Sequence, residues 1–345
     1  MGNLMKHSGK IGEQMTNSTK PILSIRNLTV ALPVQLERAN AVDNLTFDVR
    51  PKEILCVVGE SGSGKSITSL ATMGLLASSL KVTGGEIDFD GRDVLKLSES
   101  EHNKLRGDRM AMIFQEPMTA LNPAYTVGNQ IEEVLRVHRS FDAAERRERT
   151  LKLLDEVRLP DPERLFNSYP HQLSGGQRQR IMIAMALALD PKLLIADEPT
   201  TALDVTTQKQ ILHLLKQLNA KHDAGIMFIT HDFGVVAEIA DRVVVMRHGQ
   251  IVEQGTADEV LNNPQHPYTR ALIDAVPRRA EDREMTISEN PVVVDVQGLM
   301  KTFHPSGGMF KKSRTVAAVN DISFQVRRGE TLGIVGESGS GKTTL

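Results

Sequence analysis

Eight residues near the start of the chain, Gly59 to Ser66, read GESGSGKS and fit the pattern G-x-x-x-x-G-K-[ST]. Gly59, Gly62 and Gly64 let the backbone N–H groups of the loop, including those of Glu60, Ser61 and Ser63, converge on phosphate oxygens at a helix N-terminus. Lys65 is spaced to reach the β- and γ-phosphates, and the Ser66 hydroxyl to ligate Mg²⁺. A second acidic element, KLLIADEPT, sends an apolar run into Asp197, a carboxylate suited to holding the same cation largely through water, and then into Glu198, suited to polarising a water. Alone, an Asp-Glu pair after an apolar run is a weak signal, because acidic residues often begin helices. A third element, HQLSGGQRQR, places Ser174, Gly175, Gly176 and Gln177 at the head of an apolar helical stretch. Such a start is an ordinary serine N-cap, and its serine and glycine N–H groups also make an anion site. Together the three elements point to nucleotide chemistry.

These side chains need a frame. Residues 22–30, 42–49 and 53–58 read as short apolar strands, the third running straight into the glycine-rich loop, with ITSLATMGLL after it at helical spacing. From about Val127 to Leu189 the pattern is helical, and its charged segment DAAERRERTLKLLDEV reads as a solvated face. KLLIAD and GIMFIT read as buried strands, TTQKQILHLLKQLNAKH between them as a helix, and RVVVMRHGQIVEQG as strand, tight turn and strand. Strands alternating with helices predict an α/β fold around a largely parallel sheet.

The chain also repeats itself. AVDNLTFDVR at 41–50 matches AVNDISFQVR at 318–327, and Gly59 matches Gly336, both at an offset of 277 (318 − 41 and 336 − 59). Upstream, Leu28 matches Leu299 at an offset of 271 (299 − 28), so the second copy holds six extra residues in the HPSGGMFKKSR loop. Gly336, Gly339, Gly341, Lys342 and Thr343 rebuild the phosphate-binding pattern, and the sequence given ends at Leu345 without a second set of the downstream elements. Residues from about 292 onward are expected to pack poorly against the first copy.

Bulk composition narrows the class without naming it. In 345 residues, 24% are charged and 40% hydrophobic, as in ordinary globular chains. A net charge of −2 gives no hint of a nucleic-acid partner, which usually needs a concentrated basic face, and none is expected. No run approaches the roughly 18 apolar residues of a membrane span. The polar opening through Lys20 has no apolar core and reads as a loose tail rather than a secretory signal. One cysteine, Cys56, excludes an internal disulfide framework; in ILCVV it reads as a buried, inert thiol.

LSGGQ, lying between a phosphate loop and LLIADEP, resembles the signature of ATP-binding cassette (ABC) ATPases. The resemblance implies a P-loop NTPase fold of ABC type: a mostly parallel core sheet, an N-terminal antiparallel β region and a helical subdomain at about 116–190, followed by the start of a second cassette. It implies ATP and Mg²⁺ as cofactors, and a signature that grips the γ-phosphate held by the loop of another subunit. By the same resemblance Gln115 in MIFQEP is the glutamine that contacts Mg²⁺ and water, Asp204 in TALD crosses the dimer interface, and His231 in FITHD contacts the γ-phosphate. Glu198, His231 and Gln115 are thus the implied catalytic set, and Ser66, Gln115 and Asp197 the implied metal set. One departure stands out: family members place an aromatic residue ahead of the phosphate loop to stack on adenine, and the repeat alignment gives Phe303 in the second copy but Leu32 in the first.

FQEPMTALNP and NPQHPYTRALIDAVP at 263–277 are similar to segments of oligopeptide, dipeptide and nickel importer ATPases. The implied organisation is a tail over 1–20, a first cassette over 21–262, an importer-type extension and linker over 263–291, and an incomplete second cassette over 292–345. The implied role is an ATPase that energises peptide uptake from the cytoplasmic face of the inner membrane as a peripheral subunit. Its implied partners are permease subunits, a second ATPase cassette (a copy of itself or a paralogue) and, indirectly, a solute-binding protein. Ribosome-acting relatives join their cassettes by a long charged helix, whereas residues 263–291 hold prolines; DNA-repair relatives insert a long coiled coil, for which the 109 residues between Lys65 and Ser174 (174 − 65) leave no room.

Overall fold

An apolar run without alternation has to be covered on both faces, and Ile54–Val58 is covered so completely that all five residues are buried. Ile54, Cys56 and Val58 join one hydrophobic cluster, while Leu55 and Val57 join a second on the opposite side. This strand is the centre of a three-layer molecule, seen in a computed structural model that describes residues 20–33, 38–116, 120–201, 203–276, 290–303, 316–336 and 340–345.

The first layer is an antiparallel sheet. It contains β1 (Leu23–Ala31), β2 (Asn40–Val49), β4 (Lys81–Phe89) and the two-residue β5 (Arg92–Asp93), in the order β2-β1-β4-β5. The middle layer contains β3 (Ile54–Val58), β6 (Met110–Ile113), β7 (Leu193–Asp197), β8 (Gly225–Thr230), β9 (Arg242–Arg247) and β10 (Gln250–Thr256). Its order is β10-β9-β3-β8-β7-β6; every neighbouring pair is parallel except β9 with β10, which a tight turn joins. The sequence reading of a largely parallel sheet and an N-terminal antiparallel region therefore describes the fold.

α1 (Lys65–Met73) follows the phosphate loop and α2 (Glu99–Leu105) lies before β6; Ala71, Met73 and Leu105 put both on the side of the antiparallel sheet. The remaining helices form the third layer. α3 (Val127–His138), α4 (Ala143–Glu156), α5 (Pro162–Phe166) and α6 (Gly175–Leu187) fill the stretch between β6 and β7. α4 carries the charged run and is largely exposed; its arginines cover apolar surface, Arg147 over the Phe166 ring and Arg149 over Phe141. α7 (Val205–Lys221), α8 (Phe233–Ile239), α9 (Ala257–Asn262) and α10 (Pro267–Asp274) complete the first part of the chain.

Two strands beyond these, β11 (Val292–Phe303) and β12 (Val316–Arg327), pair only with each other, antiparallel, among the described residues. Val293, Met300 and Phe303 are exposed, as are Leu332, Ile334 and Val335 after the hairpin.

Candidate functional site

Parallel strands deliver their following loops to one edge of a sheet, where ligands of open α/β folds bind. Here β3, β8, β7 and β6 are adjacent in that order, so the phosphate loop, His231, Asp197 with Glu198, and Gln115 emerge side by side. Residues spread over 173 positions of sequence (231 − 58) are thereby gathered by topology alone.

The phosphate loop has the backbone that its glycines allow. Gly62 and Gly64 have φ of +77° and +104°, and a Cβ on Gly64 would stand 2.7 Å from the Ala41 carbonyl oxygen. Gly64 is also the N-cap of α1, so the loop runs straight into the helix start, although the Ser63 N–H here donates to the Glu60 carbonyl at 3.2 Å and the Glu60 N–H to the Tyr268 hydroxyl at 3.3 Å. The buried Lys65 ammonium donates to the carbonyls of Gly59 (2.7 Å) and Glu60 (2.9 Å). Burial lowers the Lys65 pKa, opposed by the carboxylates of Glu198, Asp197 and Glu60. Arg38 reaches the same loop from the residues ahead of β2 and donates to the Gly62 carbonyl at 2.9 Å.

Two carboxylates face the loop with different partners. The Ser66 hydroxyl donates to Asp197 Oδ1 at 3.2 Å. Asp197 is buried, which raises its pKa, with the Ser66 hydrogen bond acting the other way. Glu198 is the hub of the second set: Gln115 Nε2 donates to its Oε2 at 3.0 Å, Thr201 Oγ1 donates to the same oxygen at 3.0 Å, and His231 Nδ1 meets Oε1 at 3.1 Å. A carboxylate can only accept, so the Nδ1–H tautomer satisfies this contact. Glu198 has φ of +44°, a left-handed conformation that costs a non-glycine residue energy, and its N–H is tied to the Ile229 carbonyl at 2.9 Å. The structure thus joins the implied catalytic set of Gln115, Glu198 and His231 directly. Thr201, which the sequence reading did not single out, shares a Glu198 oxygen with Gln115; it lies three residues after Glu198, within reach of a turn.

Ser174 caps α6, its hydroxyl accepting from the Gln177 N–H while the Ser174 N–H donates to Gln177 Oε1. Gly175 and Gly176 lie against Leu203 and Thr207. Asp204 caps α7, accepting from the Thr207 N–H at 3.0 Å and from its hydroxyl at 2.9 Å. The signature and the Asp204 turn therefore form one surface.

In the second loop Lys342 Nζ donates to the Gly336 carbonyl at 2.6 Å, and Gly341 has φ of +95°. Thr343 is exposed, and Gly339 lies outside the described residues. Cys56 is wholly buried, and burial pushes its thiol pKa up.

The family described as ABC transporter matches residues 42–201 and 319–345, more than half of the chain. The chain belongs to the ABC transporter family. The family described as Oligopeptide/dipeptide transporter, C-terminal region, matches residues 252–306. The chain is 49% identical over 330 residues to the peptidoglycan transport ATP-binding protein YejF of Agrobacterium fabrum, covering 95% of this chain and 60% of that protein. It is 45% identical over 358 residues to the glutathione import ATP-binding protein GsiA of Escherichia coli K12, covering 94% of this chain and 57% of that protein. The ABC chain thus spans about three-fifths of the length of these relatives. Among solved structures, the dimeric ATP-binding cassette MJ0796, in a post-hydrolysis state with ADP and Pi, is similar at a TM-score of 0.61 and 31% identity, covering 68% of this chain and 98% of that one. A second, cbiO1 from Clostridium perfringens, part of the ABC transporter complex cbiONQ, matches at 0.60 and 27%, covering 70% and 91%. The fold is that of an ABC cassette.

Proposed function

We propose that the chain is an ATP-hydrolysing subunit that energises an importer for peptides or a related cargo. The observation that carries this reading is the single hydrogen-bonded group of Gln115, Glu198 and His231 beside a phosphate loop whose lysine and serine face Asp197. Phosphoryl transfer to water needs positioning and charge stabilisation more than covalent chemistry. The loop N–H groups and Lys65 bind and orient the β- and γ-phosphates. Glu198, held on its strained turn, accepts the proton of the attacking water. His231 keeps that carboxylate aimed and turns its other ring nitrogen outward to the γ-phosphate. Ser66 and Asp197, with the Gln115 amide oxygen, fit a magnesium ion: hard oxygen donors, few in number, as suits a cation that keeps water and phosphate ligands. When bound, the ion neutralises charge on the phosphates.

The importer assignment rests on the oligopeptide/dipeptide C-terminal region and on relatives named for peptidoglycan transport and glutathione import. Residues 21–262 form the cassette, 263–291 an extension, and 292–345 part of a second cassette. Among the described residues no helix is long and apolar enough to cross a membrane. Attachment through permease subunits at the cytoplasmic face of the inner membrane fits that observation. The signature and Asp204 surface pairs with a second cassette, from another copy or a paralogue, and a solute-binding protein hands cargo to the assembly. The test is affinity capture of the full chain from detergent-treated membranes, followed by identification of its partners. Permease subunits support the proposal; ribosomal proteins in their place would end it.

A further inference from the structure

The residues after the cassette do not merely trail from it. Gln265 and His266 donate their N–H groups to the Glu253 carboxylate of β10, at 2.7 and 3.1 Å. His266 then caps α10, its Nδ1 accepting from the Tyr268 N–H at 3.1 Å, and Arg270 Nε donates to the Pro264 carbonyl at 2.8 Å. This anchored turn drives Tyr268 inward until it is 9% exposed, with the Arg247 guanidinium 4.8 Å from its ring centre. Its hydroxyl accepts from the N–H of Glu60 at 3.3 Å. Burial raises the Tyr268 pKa, and the phenol oxygen accepts from the amide.

Glu60 is the second residue of the phosphate loop, and Tyr268 lies 208 residues away. The carbonyl side of Glu60 is held by Lys65 at 2.9 Å, as is that of Gly59. A lysine that turns to phosphate shares its three N–H donors with it and so loosens its hold on these carbonyls. The amide side then keeps the entrance of the loop in place, and the Tyr268 hydroxyl is the group on that side. We infer that Tyr268 is a positioning residue for the phosphate loop, through which the 263–276 segment sets nucleotide affinity. The inference rests on the ATP-binding reading above. A loop entrance held in shape serves the bound nucleotide before and during reaction alike, so its loss weakens binding and leaves the chemical step alone.

Tyr268→Phe removes one oxygen and keeps the ring, its burial and the Arg247 contact. In the full chain, titrated with MgATP in a calorimeter, this variant is expected to bind about threefold to tenfold more weakly, the effect of one neutral hydrogen bond. Its kcat should stay within about twofold of wild type and its thermal midpoint should be unchanged. Glu60→Pro removes the N–H itself, so adding Tyr268→Phe to it should weaken binding no further. Equal affinity of Tyr268→Phe and wild type overturns the inference, as does a loss that adds fully to that of Glu60→Pro. A lowered midpoint with unchanged affinity overturns it too, leaving Tyr268 a packing residue. If wild type itself binds no MgATP, the ATPase reading fails first; binding by wild type and equally by Tyr268→Phe sinks this inference alone.

Discussion

The chain carries two phosphate loops of nearly one sequence, GESGSGKS and GESGSGKT, set against very different surroundings. Locally they agree. Each lysine donates to the carbonyl of the first glycine, Lys65 to Gly59 at 2.7 Å and Lys342 to Gly336 at 2.6 Å. Each last glycine is left-handed, Gly64 at +104° and Gly341 at +95°, and each lies against the equivalent carbonyl, of Ala41 or Ala318. Behind the loops the agreement ends. ILCVV is a strand whose Val58 is wholly buried, flanked by β8 and β9; its counterpart TLGIV is not a strand, and Val335, which matches Val58, is 92% exposed. The lysine contact to the first glycine and the left-handed last glycine against its neighbouring carbonyl thus do not depend on a sheet behind the loop. The site is a property of the sheet, because only β8, β7 and β6 bring His231, Asp197, Glu198 and Gln115 to the first loop.

The largest difference between the loops should appear when the lysines are removed. Lys65→Ala is expected to take phosphate release to background, since Lys65 is the buried cation facing three carboxylates. Lys342→Ala should leave the rate nearly unchanged. A large loss from Lys342→Ala in the same assay would show that the second loop is a working site.

Glu198→Gln tests the sheet's contribution rather than the loop's. It keeps hydrogen bonds at Glu198 but removes the base, so turnover should fall by on the order of 10²- to 10⁴-fold. ATP affinity on the same preparation should hold, because the phosphate loop is untouched. Near-normal turnover would remove Glu198 from its role.

Stability separates the loops by a smaller amount. Gly64→Ala forces a Cβ within 2.7 Å of the Ala41 carbonyl at a φ of +104°, and should cost about 1–3 kcal/mol of cassette stability, read as a lower calorimetric midpoint. Gly341→Ala meets the Ala318 carbonyl in the same way. Its loop is backed by no parallel sheet among the described residues, so the cassette transition should not move. Equal shifts would mean that the two loops share one cooperative unit.

These contrasts also mark what the sequence can tell. The order of chemical elements was readable, since glycine spacing, apolar runs ending in Asp197, and a serine heading a helix are all local signals. β4 was not, because KVTGGEIDF carries a Gly-Gly pair and a register shift instead of clean alternation. Nor was β6, whose four residues are too few for a period. TLGIV shows the other side of this, since an apolar run becomes a strand only where partners pair with it. Thr201 was within reach as a turn residue. Tyr268 was not, because nothing near it in the chain indicates Glu60; the contact exists only once β10 has placed Glu253 to hold the turn ahead of α10.

The smallest expected effect turns the comparison round, for in one respect the second copy is the better equipped. Phe303 ends β11, exposed, with the Lys301 ammonium 5.5 Å from its ring centre. The matching Leu32 follows β1, half-buried, its N–H donating to the Ala39 carbonyl at 2.9 Å. The first loop has the chemistry without the ring, and the second the ring without the chemistry. A leucine covers a base by contact alone, whereas a phenyl adds a stacking preference of about 0.5–1.5 kcal/mol. Leu32→Phe should therefore tighten ATP by roughly twofold to tenfold in a binding titration. Inorganic tripolyphosphate, which has no base, should bind the variant and wild type alike. Phe303→Leu should change neither titration. Tighter binding of tripolyphosphate by Leu32→Phe would trace the gain to the phosphate loop, and an unchanged ATP affinity would show that residue 32 does not meet the base.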